Sequence, residues 1–410
     1  MSNPVPPTDD WLDDECRRLL GFGRDIGHPV GGAAWLDDVG RPDLSRPVHT
    51  WITSRTVHVY ALGHLLGVEG CTSIATAALD GLRTTLHDDE DGGWFTAVDA
   101  DGAPTGTAKS CYDHAFVMLA ASSAVVAGLP GGDSLLAEAT DVFERHFWEE
   151  PVGRVVDEWD RAWATPTPYR GLNSSMHSVE AMLAVGDVTG ERVWHERAGR
   201  IASYVVGLAS SHDGRLPEHF GPDWSVDLEL NRDRPDDPFK PFGATIGHGL
   251  EWARLLLHVE ATLGDAAPRG LLDAARLLLD RAVADGWDVD GAPGFVYTTD
   301  WDGTPVVRNR MHWVAAEGIA AAAALHRRTG EEAYADRCAQ WWAYVVEHLR
   351  DVERGSWHHE LDPDNRPQSS VWPGKPDLYH AVQATLLPRL PLSPSLASAL
   401  ALSDGVPPPA

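Results

Sequence analysis

The chain repeats one pattern six times, and the regular spacing of this pattern limits the possible folds more than any other feature. In each repeat a turn-rich stretch gives way to an apolar helical run whose first turn carries polar or aromatic side chains. One marker per repeat shows the period, since the markers lie 57, 61, 75, 65 and 67 residues apart: Arg55, Tyr112, Asn173, His248, Trp313 and His380. Six similar units with such groups at the same end predict a ring of side chains around a pocket.

Each repeat also contains a glycine-rich, aromatic segment with the turn signals of a β-hairpin. Asp101-Gly102 and Asp302-Gly303 are the clearest turns, because Asp-Gly favours tight hairpins. Between the hairpins lie amphipathic helices, predicted over residues 134–147, 191–208, 270–284 and 332–349. Two helices in each of six repeats predict an all-α fold, a closed toroid of six inner and six outer helices with short hairpins in its connections.

The repeat pattern also predicts the domain organisation. Repeats that bury their apolar faces on their neighbours form one array, so we expect a single domain over residues 1–395. The C-terminal segment 396–410 ends in a proline-rich stretch and is predicted to be a disordered tail. The fourth repeat is the longest because of an insertion at 223–242, rich in Asp, Arg and Pro. A polar insertion of this length is typical of a lid or a rim loop.

Composition excludes several classes of partner. The chain has 61 acidic against 33 basic residues, and this net charge of −28 disfavours nucleic acids and anionic membranes. We find no signal peptide near the N-terminus and no apolar run of about 18 residues that would span a membrane. The four cysteines lie far apart without CxxC spacing, which predicts free thiols and a reducing compartment. We therefore expect a cytoplasmic protein without nucleic-acid or membrane partners, and its oligomeric state stays open.

Helical spacing groups several of the candidate site residues. His248 and Glu251 are three residues apart and Asn173 and His177 are four apart, so each pair shares a helix face. Most histidines in a helix are packed or solvated, but His248 opens an inner helix just after a glycine- and proline-rich loop, a common place for function. Glu251 has the alternative role of stabilising a helix N-terminus.

The last two repeats supply a second group of candidates. His380 also opens a helix after a glycine- and proline-rich loop. Trp313 and Glu317 are four residues apart and share a face, and Glu317 stands in an apolar run where a carboxylate needs a partner. Asp377 is most simply a cap for the helix of His380. Arg55, in the first repeat, is equally suited to an ordinary ion pair.

No metal site and no cofactor are predicted. The sequence lacks HExxH, Cys/His knuckles, a P-loop, a GxGxxG turn after a strand and a GxSxG elbow. His358 and His359 lie in a predicted ribbon, where alternation points them to opposite faces. The expected partner is a small molecule.

Six ordered segments resemble the N-acylglucosamine 2-epimerase superfamily, and within it the aldose–ketose isomerases that act on mannose and related sugars. These segments span residues 51–60, 112–116, 171–180, 241–252, 312–317 and 375–382, which read WITSRTVHVY, YDHAF, GLNSSMHSVE, PFGATIGHGLEW, HWVAAE and KPDLYHAV. The resemblance implies an (α/α)6 barrel and metal-free isomerisation or epimerisation of a sugar. The epimerase branch usually carries a Trp-Pro-Gln-Ala-Glu type motif where this chain has HWVAAE, which favours the isomerase branch.

The resemblance also implies roles for individual residues. His248 and His380 would be the acid/base histidines, and the other matching positions would surround the sugar or line its pocket: Arg55, Asn173, His177, Glu251, Trp313, Glu317, Trp51 and Tyr112.

The corresponding hypothesis is interconversion of D-mannose and D-fructose, extended to D-lyxose and D-xylulose. In it His380 assists ring opening, while His248, oriented by Glu251, moves a proton between C2 and C1 of a cis-enediolate that Arg55 stabilises. Three alternatives stay open: a sugar 2-epimerase, a glycoside hydrolase using Glu251 and Glu317 as its two carboxylates, and a carbohydrate sensor without catalysis.

Overall fold

The computed structural model describes residues 7–403, in which thirteen α-helices alternate with short strands. The helices are α1 (Asp9–Phe22), α2 (Thr50–Leu65), α3 (Cys71–Arg83), α4 (Cys111–Val126), α5 (Gly132–Val142), α6 (Leu172–Thr189), α7 (Arg192–Ser211), α8 (Ile246–Leu263), α9 (Leu271–Gly286), α10 (His312–Thr329), α11 (Glu332–Tyr344), α12 (Tyr379–Leu386) and α13 (Leu396–Ser403). None of the helices in this part of the chain is long and apolar enough to cross a membrane.

The strands are two or three residues long and form small antiparallel ladders. They are β1 (Trp35–Leu36), β2 (Pro42–Asp43), β3 (Val48–His49), β4 (Ala97–Val98), β5 (Pro104–Gly106), β6 (Lys109–Ser110), β7 (Trp148–Glu149), β8 (Arg154–Val155), β9 (Glu158–Trp159), β10 (Arg170–Gly171), β11 (His219–Phe220), β12 (Ala244–Thr245), β13 (Thr298–Thr299), β14 (Pro305–Val307), β15 (Arg310–Met311) and β16 (Glu360–Leu361). The ladders include β3-β4-β5, β6-β9, β12-β13-β14 and β15-β16.

The described chain divides into two compact units. The first unit contains residues 7–19, 202–375 and 380–392, and the second contains 20–201, 376–379 and 393–403. Helices α8 to α11 lie in the first unit and α2 to α6 in the second. The expectation of a single domain over 1–395 stays a prediction.

Short strands set where the predicted inner helices begin. Strands β3, β6, β10, β12 and β15 run directly into α2, α4, α6, α8 and α10. Within one unit, four of these strands pair with a strand that follows the next two helices, as in β3 with β4 and β15 with β16. The residue before each of these five helices is extended, for example Thr245 before α8 at φ −83° and ψ 111°. The helices therefore begin at the six predicted segments, including α12 at Tyr379.

Burial distinguishes the two kinds of helix. Every residue of α8 from Ile246 to Val259 is buried, whereas α9 buries one face and exposes residues such as Asp273 and Asp280. A helix buried all round belongs to a core, and an amphipathic one covers it. Inner and outer helices pack in pairs within a unit: α2 on α3, α4 on α5, α8 on α9 and α10 on α11. The predicted pairing of helices is confirmed in these four repeats.

The two Asp-Gly hairpins are confirmed. Gly102 and Gly303 have φ of +83° and +93°, a left-handed conformation that glycine adopts without strain. An aspartate three residues before each glycine closes the turn. Oδ1 of Asp99 accepts a hydrogen bond from Ala103 N, and Oδ1 of Asp300 accepts one from Thr304 N, both at 2.9 Å. The hairpins join β4 to β5 and β13 to β14.

The structure differs from the predictions at two helix ends and at the tail. The predicted helices 134–147 and 332–349 each end in a π-helical turn, Phe143–Phe147 and Val345–Leu349. Residues 396–403 form α13 rather than disordered chain, because Ala397, Ala399 and Leu400 are buried and α13 packs on α2, α4 and α6. The rest of the expected tail, 404–410, lies outside the described residues.

The insertion at 223–242 is held by aromatic contacts within the first unit. Trp224 is buried against Phe220, with ring centroids 5.3 Å apart, and Phe239 lies edge-on to Trp372 at 5.5 Å. Nε1 of Trp301 donates to the carbonyl of Leu228 at 2.9 Å. These contacts explain how a segment with little regular structure is kept in place.

Candidate active site

Two imidazoles of the first unit lie against one indole. The ring centroid of Trp313, on the first turn of α10, is 5.3 Å from that of His248 on α8 and 5.7 Å from that of His380 on α12. Both histidines are buried, and Trp313 is half-buried. Three of the predicted site residues are thus brought together by three different helix starts.

Gly247 leaves room for this indole. A Cβ at Gly247 would lie 2.2 Å from Cζ3 and 2.4 Å from Cη2 of Trp313, far inside van der Waals contact. Tyr297 lies edge-on to the same indole at 6.0 Å. The glycine before His248 is therefore a packing requirement of the cluster.

His380 is held by a buried charge network. Its Nδ1 lies 3.1 Å from Oε1 of Glu317, and Nε of Arg254 donates to Oε2 of Glu317 at 3.0 Å. Burial raises the pKa of Glu317, but the Arg254 guanidinium and the bond to His380 outweigh burial and leave the pKa below its ordinary value. An ionised carboxylate only accepts hydrogen bonds, so Nδ1 of His380 carries the proton. The partner that Glu317 was expected to need is present.

His248 has a carboxylate on the equivalent nitrogen. Its Nδ1 lies 3.0 Å from Oε2 of Glu218, which directly precedes β11 and is buried. The sequence predicted Glu251 for this role. Oε1 of Glu251 lies 3.5 Å from Nη2 of Arg254, one turn further along α8. Glu251 is therefore linked to the network of His380 through Arg254.

A second pair of imidazoles packs beside His380. The rings of His312 and His359 are stacked 3.9 Å apart at an interplanar angle of 10°. The ring of His312 also lies edge-on to that of His380 at 6.4 Å. His358 points elsewhere, with Nδ1 3.7 Å from Asp351. The two histidines therefore contact different groups, and their opposite orientation stays a prediction.

In the second unit, Arg55 forms an ion pair within an aromatic surround. Nη1 of Arg55 donates to Oδ2 of Asp377 at 2.6 Å, and Nη2 donates to the hydroxyl of Tyr112 at 3.1 Å. The guanidinium carbon lies 4.4 Å from the ring centroid of Phe116 and 4.7 Å from that of Tyr379. This planar cation is held by charge, hydrogen bonding and cation–π contacts together.

Trp51 and Asp377 also lie beside Arg55. Trp51, one turn before Arg55 on α2, has its ring centroid 5.2 Å from the guanidinium carbon. Oδ1 of Asp377 accepts from the backbone N–H of Tyr379 at 2.8 Å, so the expected capping role of Asp377 is confirmed. The same carboxylate pairs with Arg55, a role that was not predicted for Asp377.

His177 of α6 lies in the same unit. Its ring is 5.2 Å from that of Tyr112, and its Nδ1 lies 3.5 Å from Oε2 of Glu180. Glu180 also accepts a short hydrogen bond from the hydroxyl of Tyr379. Asn173, one turn before His177, is half-buried, and within residues 7–403 its Oδ1 has no hydrogen-bond partner. An amide oxygen in this position can accept a ligand hydroxyl.

Three other titratable groups of the second unit have pKa values that burial shifts. Burial lowers the pKa of His58 to about 4 and that of His114 to about 3, so both are neutral packing residues at physiological pH. Burial raises the pKa of Asp113 to about 8, although Ser110 and the backbone of Trp51 hydrogen-bond to it and act in the opposite direction. Asp113 is therefore a neutral carboxylic acid at pH 7.

The ten predicted residues fall into two clusters, one in each unit. The first unit contains His248, Glu251, Trp313, Glu317 and His380, and the second contains Trp51, Arg55, Tyr112, Asn173 and His177. The prediction missed Glu218, Arg254, Phe116, Glu180 and Tyr379. Arg254 had a usable signal, because it follows Glu251 by three residues on the same helix face.

A known family matches most of the chain. The model of the family described as N-acylglucosamine 2-epimerase (GlcNAc 2-epimerase) matches residues 31–384. The chain belongs to the N-acylglucosamine 2-epimerase family.

Relatives within the N-acylglucosamine 2-epimerase family align over nearly the full chain. The chain is 54% identical over 393 residues to a D-mannose isomerase of Thermobifida fusca, covering 95% of this chain and 96% of the relative. It is 47% identical over 403 residues to a D-mannose isomerase of Pseudomonas cannabina pv. alisalensis, covering 97% of each. A crystal structure of a D-mannose isomerase superposes with a TM-score of 0.87 at 28% identity, covering 94% of this chain and 99% of that one. The predicted fold class, an all-α (α/α)6 barrel, is confirmed by this likeness.

Proposed function

We propose that this protein is an aldose–ketose isomerase that interconverts D-mannose and D-fructose, and by the same chemistry D-lyxose and D-xylulose. The observation that carries the proposal is the pair of imidazoles against Trp313, each with a carboxylate at Nδ1. Two imidazoles can exchange protons with carbon and oxygen at neutral pH. The relatives named D-mannose isomerase support the choice of sugar.

In the proposed reaction, proton transfers open the ring before the carbon chemistry starts. His380 gives a proton from Nε2 to the ring oxygen, the bond between C1 and the ring oxygen breaks, and the proton of the C1 hydroxyl passes to solvent water, which produces the open-chain aldehyde. The network of Glu317 and Arg254 keeps the His380 ring in place with Nδ1 protonated, so Nε2 is the nitrogen that exchanges protons. The half-buried indole of Trp313 offers a flat surface for the apolar face of the sugar.

Isomerisation then needs a proton to move from C2 to C1. His248 removes the C2 proton, and the electron pair forms the C1–C2 double bond of a cis-enediolate. The proton of the C2 hydroxyl passes to O1, and His248 returns its proton to C1, which leaves a ketone at C2 and no net change in protons. One base acting on one face of the enediolate yields the ketose.

The Arg55 cluster is proposed to bind sugar oxygens. A guanidinium has five N–H donors, so its bonds to Asp377 and Tyr112 are compatible with further bonds to a ligand. Arg55 would stabilise charge on the enediolate oxygens. Asn173 and His177 would bind hydroxyls, and Trp51 would line the site.

The experiment is to follow the products formed from D-mannose, with and without a chelator. Fructose as the first product supports isomerisation, and equal rates in EDTA support the proposed metal independence. Glucose as the first product would show a 2-epimerase, and binding without conversion would show a sensor. His248→Ala is the control, since we expect it to abolish exchange of the C2 hydrogen.

The state of Glu317 argues against the glycoside hydrolase alternative. Such an enzyme needs one carboxylic acid with a raised pKa to protonate the leaving group. The pKa of Glu317 is lowered, and both Glu317 and Glu251 contact the guanidinium of Arg254. Release of reducing sugar from a mannose oligosaccharide would contradict this argument.

We also propose a reducing compartment for this enzyme, in agreement with the expected cytoplasmic location. All four cysteines are free thiols in the described chain, as predicted: Cys16, Cys71, Cys111 and Cys338. Activity unchanged by strong reductant would agree with this proposal, and loss of activity in reductant would contradict it.

A further inference from the structure

We propose that Glu218 is the positioning residue that makes His248 the base for the carbon-bound proton. This inference rests on the proposed isomerase function and adds a residue to it. No sequence pattern singles out Glu218, which lies in a hairpin segment outside the inner helices.

Glu218 lies close to His248, and the backbone beside Glu218 is held in place. Oε2 of Glu218 lies 3.0 Å from Nδ1 of His248, and both side chains are buried. The following residue, His219, is buried in β11, and its Nε2 lies 2.8 Å from the carbonyl of Pro241. The backbone next to Glu218 is thus anchored. The approach of the two groups is not yet aligned for a full hydrogen bond, and catalytic bonds often align only when substrate binds.

Glu218 pairs with His248, and no cationic side chain of the described chain neutralises it. Within residues 7–403 no guanidinium or ammonium group pairs with Glu218, and its other oxygen, Oε1, has no hydrogen-bond partner. The carboxylate of Glu317, by contrast, is shared between His380 and Arg254. A buried carboxylate without a cation is unfavourable, so a proton taken up by His248 supplies the missing positive charge. This asymmetry favours His248 over His380 as the base for the weakly acidic C2 proton.

Glu218 also selects the tautomer of His248. When the two groups align, the carboxylate accepts a hydrogen bond from Nδ1, which places the ring proton on Nδ1 and leaves the lone pair on Nε2. A carboxylate that holds a catalytic imidazole in one tautomer accounts for large rate effects in other enzymes. The base that acts on carbon is then Nε2 of His248.

The test separates the carbon step from ring opening. Glu218→Gln keeps the size of the side chain and removes its charge. We expect kcat and the exchange of the C2 hydrogen of D-mannose with D2O to fall by about 10²-fold or more. We expect KM and the enzyme-catalysed equilibration of the mannose anomers, which reports ring opening, to stay within about twofold. Both rates can be measured in one NMR sample. Glu229→Gln, at an exposed glutamate that pairs with Arg232, is the matched control and should match wild type.

A second variant covers the case in which Glu218→Gln does not fold. Glu218→Ala leaves space for a small anion, and added formate should restore C2 exchange at least about tenfold without affecting wild type. Three outcomes would each overturn the role of Glu218 and leave the proposed function standing. They are wild-type C2 exchange in Glu218→Gln, an equal loss of ring opening and C2 exchange in that variant, and no rescue of Glu218→Ala by formate. A wild-type protein that does not exchange the C2 hydrogen of mannose would overturn the proposed function as well.

Discussion

Replacing Gly247 by alanine tests whether the position of Trp313 controls the two histidines. The new Cβ would lie 2.2 Å from Cζ3 of Trp313 and 2.8 Å from Cγ2 of Val314. Carbon atoms in good contact are about 3.5 Å apart or more, so the indole would have to move by about 1.3 Å. The ring of Trp313 contacts both His248 and His380. The variant therefore displaces the cluster without removing any of its functional groups.

The expected magnitudes follow from this displacement. Alanine in a helix is favoured over glycine by about 0.5–1 kcal/mol, but overpacking costs about 1–3 kcal/mol. We expect a net loss of about 0–2.5 kcal/mol in the free energy of unfolding. A misplacement of about 1 Å costs about 10²-fold in rate, which corresponds to about 2.7 kcal/mol of transition-state stabilisation. We therefore expect kcat/KM for D-mannose to fall about 10²-fold.

The same helix provides a matched control. A Cβ at Gly249 would meet only the carbonyl oxygen of Leu278, at 4.0 Å. Gly249→Ala should thus raise the free energy of unfolding by about 0.5–1 kcal/mol and leave kcat/KM unchanged. Urea denaturation followed by circular dichroism gives the stabilities, and fructose formation gives the rates. If Gly247→Ala is stabilised like Gly249→Ala and keeps wild-type kcat/KM, the position of Trp313 does not control the two histidines.

Three further changes test the buried charges. Arg254→Met leaves the carboxylate of Glu317 buried without its guanidinium, and we expect a loss of about 3–5 kcal/mol by chemical denaturation; a loss under about 1 kcal/mol would contradict the network. Asp113 has its pKa raised from 3.8 to about 8, so the unfolded chain releases this proton first and stability falls as pH rises between these values. Asp113→Asn should remove about 1.4 kcal/mol of this loss per pH unit. If the free energy of unfolding of wild type and variant changes in parallel between pH 5 and 7, the raised pKa of Asp113 is refuted. Arg55→Lys cannot keep both the bond to Asp377 and the stacked planar cation, so kcat/KM for D-mannose should fall at least about tenfold, and wild-type kinetics would exclude a role for the guanidinium.

The starts of the inner helices were predictable because local sequence decides them. A short strand, an extended residue and an apolar run follow one another in order, as in Thr245 before α8. The need of Glu317 for a partner was also predictable, since a carboxylate in an apolar helix is unfavourable by itself. Arg254 was within reach of the same reasoning, because helical spacing places it on the face of Glu251.

Other contacts could not be predicted, because they join segments that are distant along the chain. Asp377 reads as a helix cap, which it is, but its second oxygen pairs with Arg55. The prediction of a disordered tail also failed at α13. The prolines at 407–409 led to the prediction of disorder, but residues 396–403 are rich in leucine and alanine, and burial against α2, α4 and α6 stabilises a helix there.

The sequence alone determined the number of repeats, the type of each element and the end of each helix at which the polar groups stand, because periodicity and turn chemistry act over a few residues. Only the tertiary structure decided which carboxylate meets which imidazole. Glu251 is three residues from His248, but Glu218, 30 positions earlier in the numbering, is the one whose Oε2 lies 3.0 Å from Nδ1. Hydrogen bonds and ion pairs act over a few ångströms, and the distance between two side chains from different repeats is set by how their helices and hairpins pack.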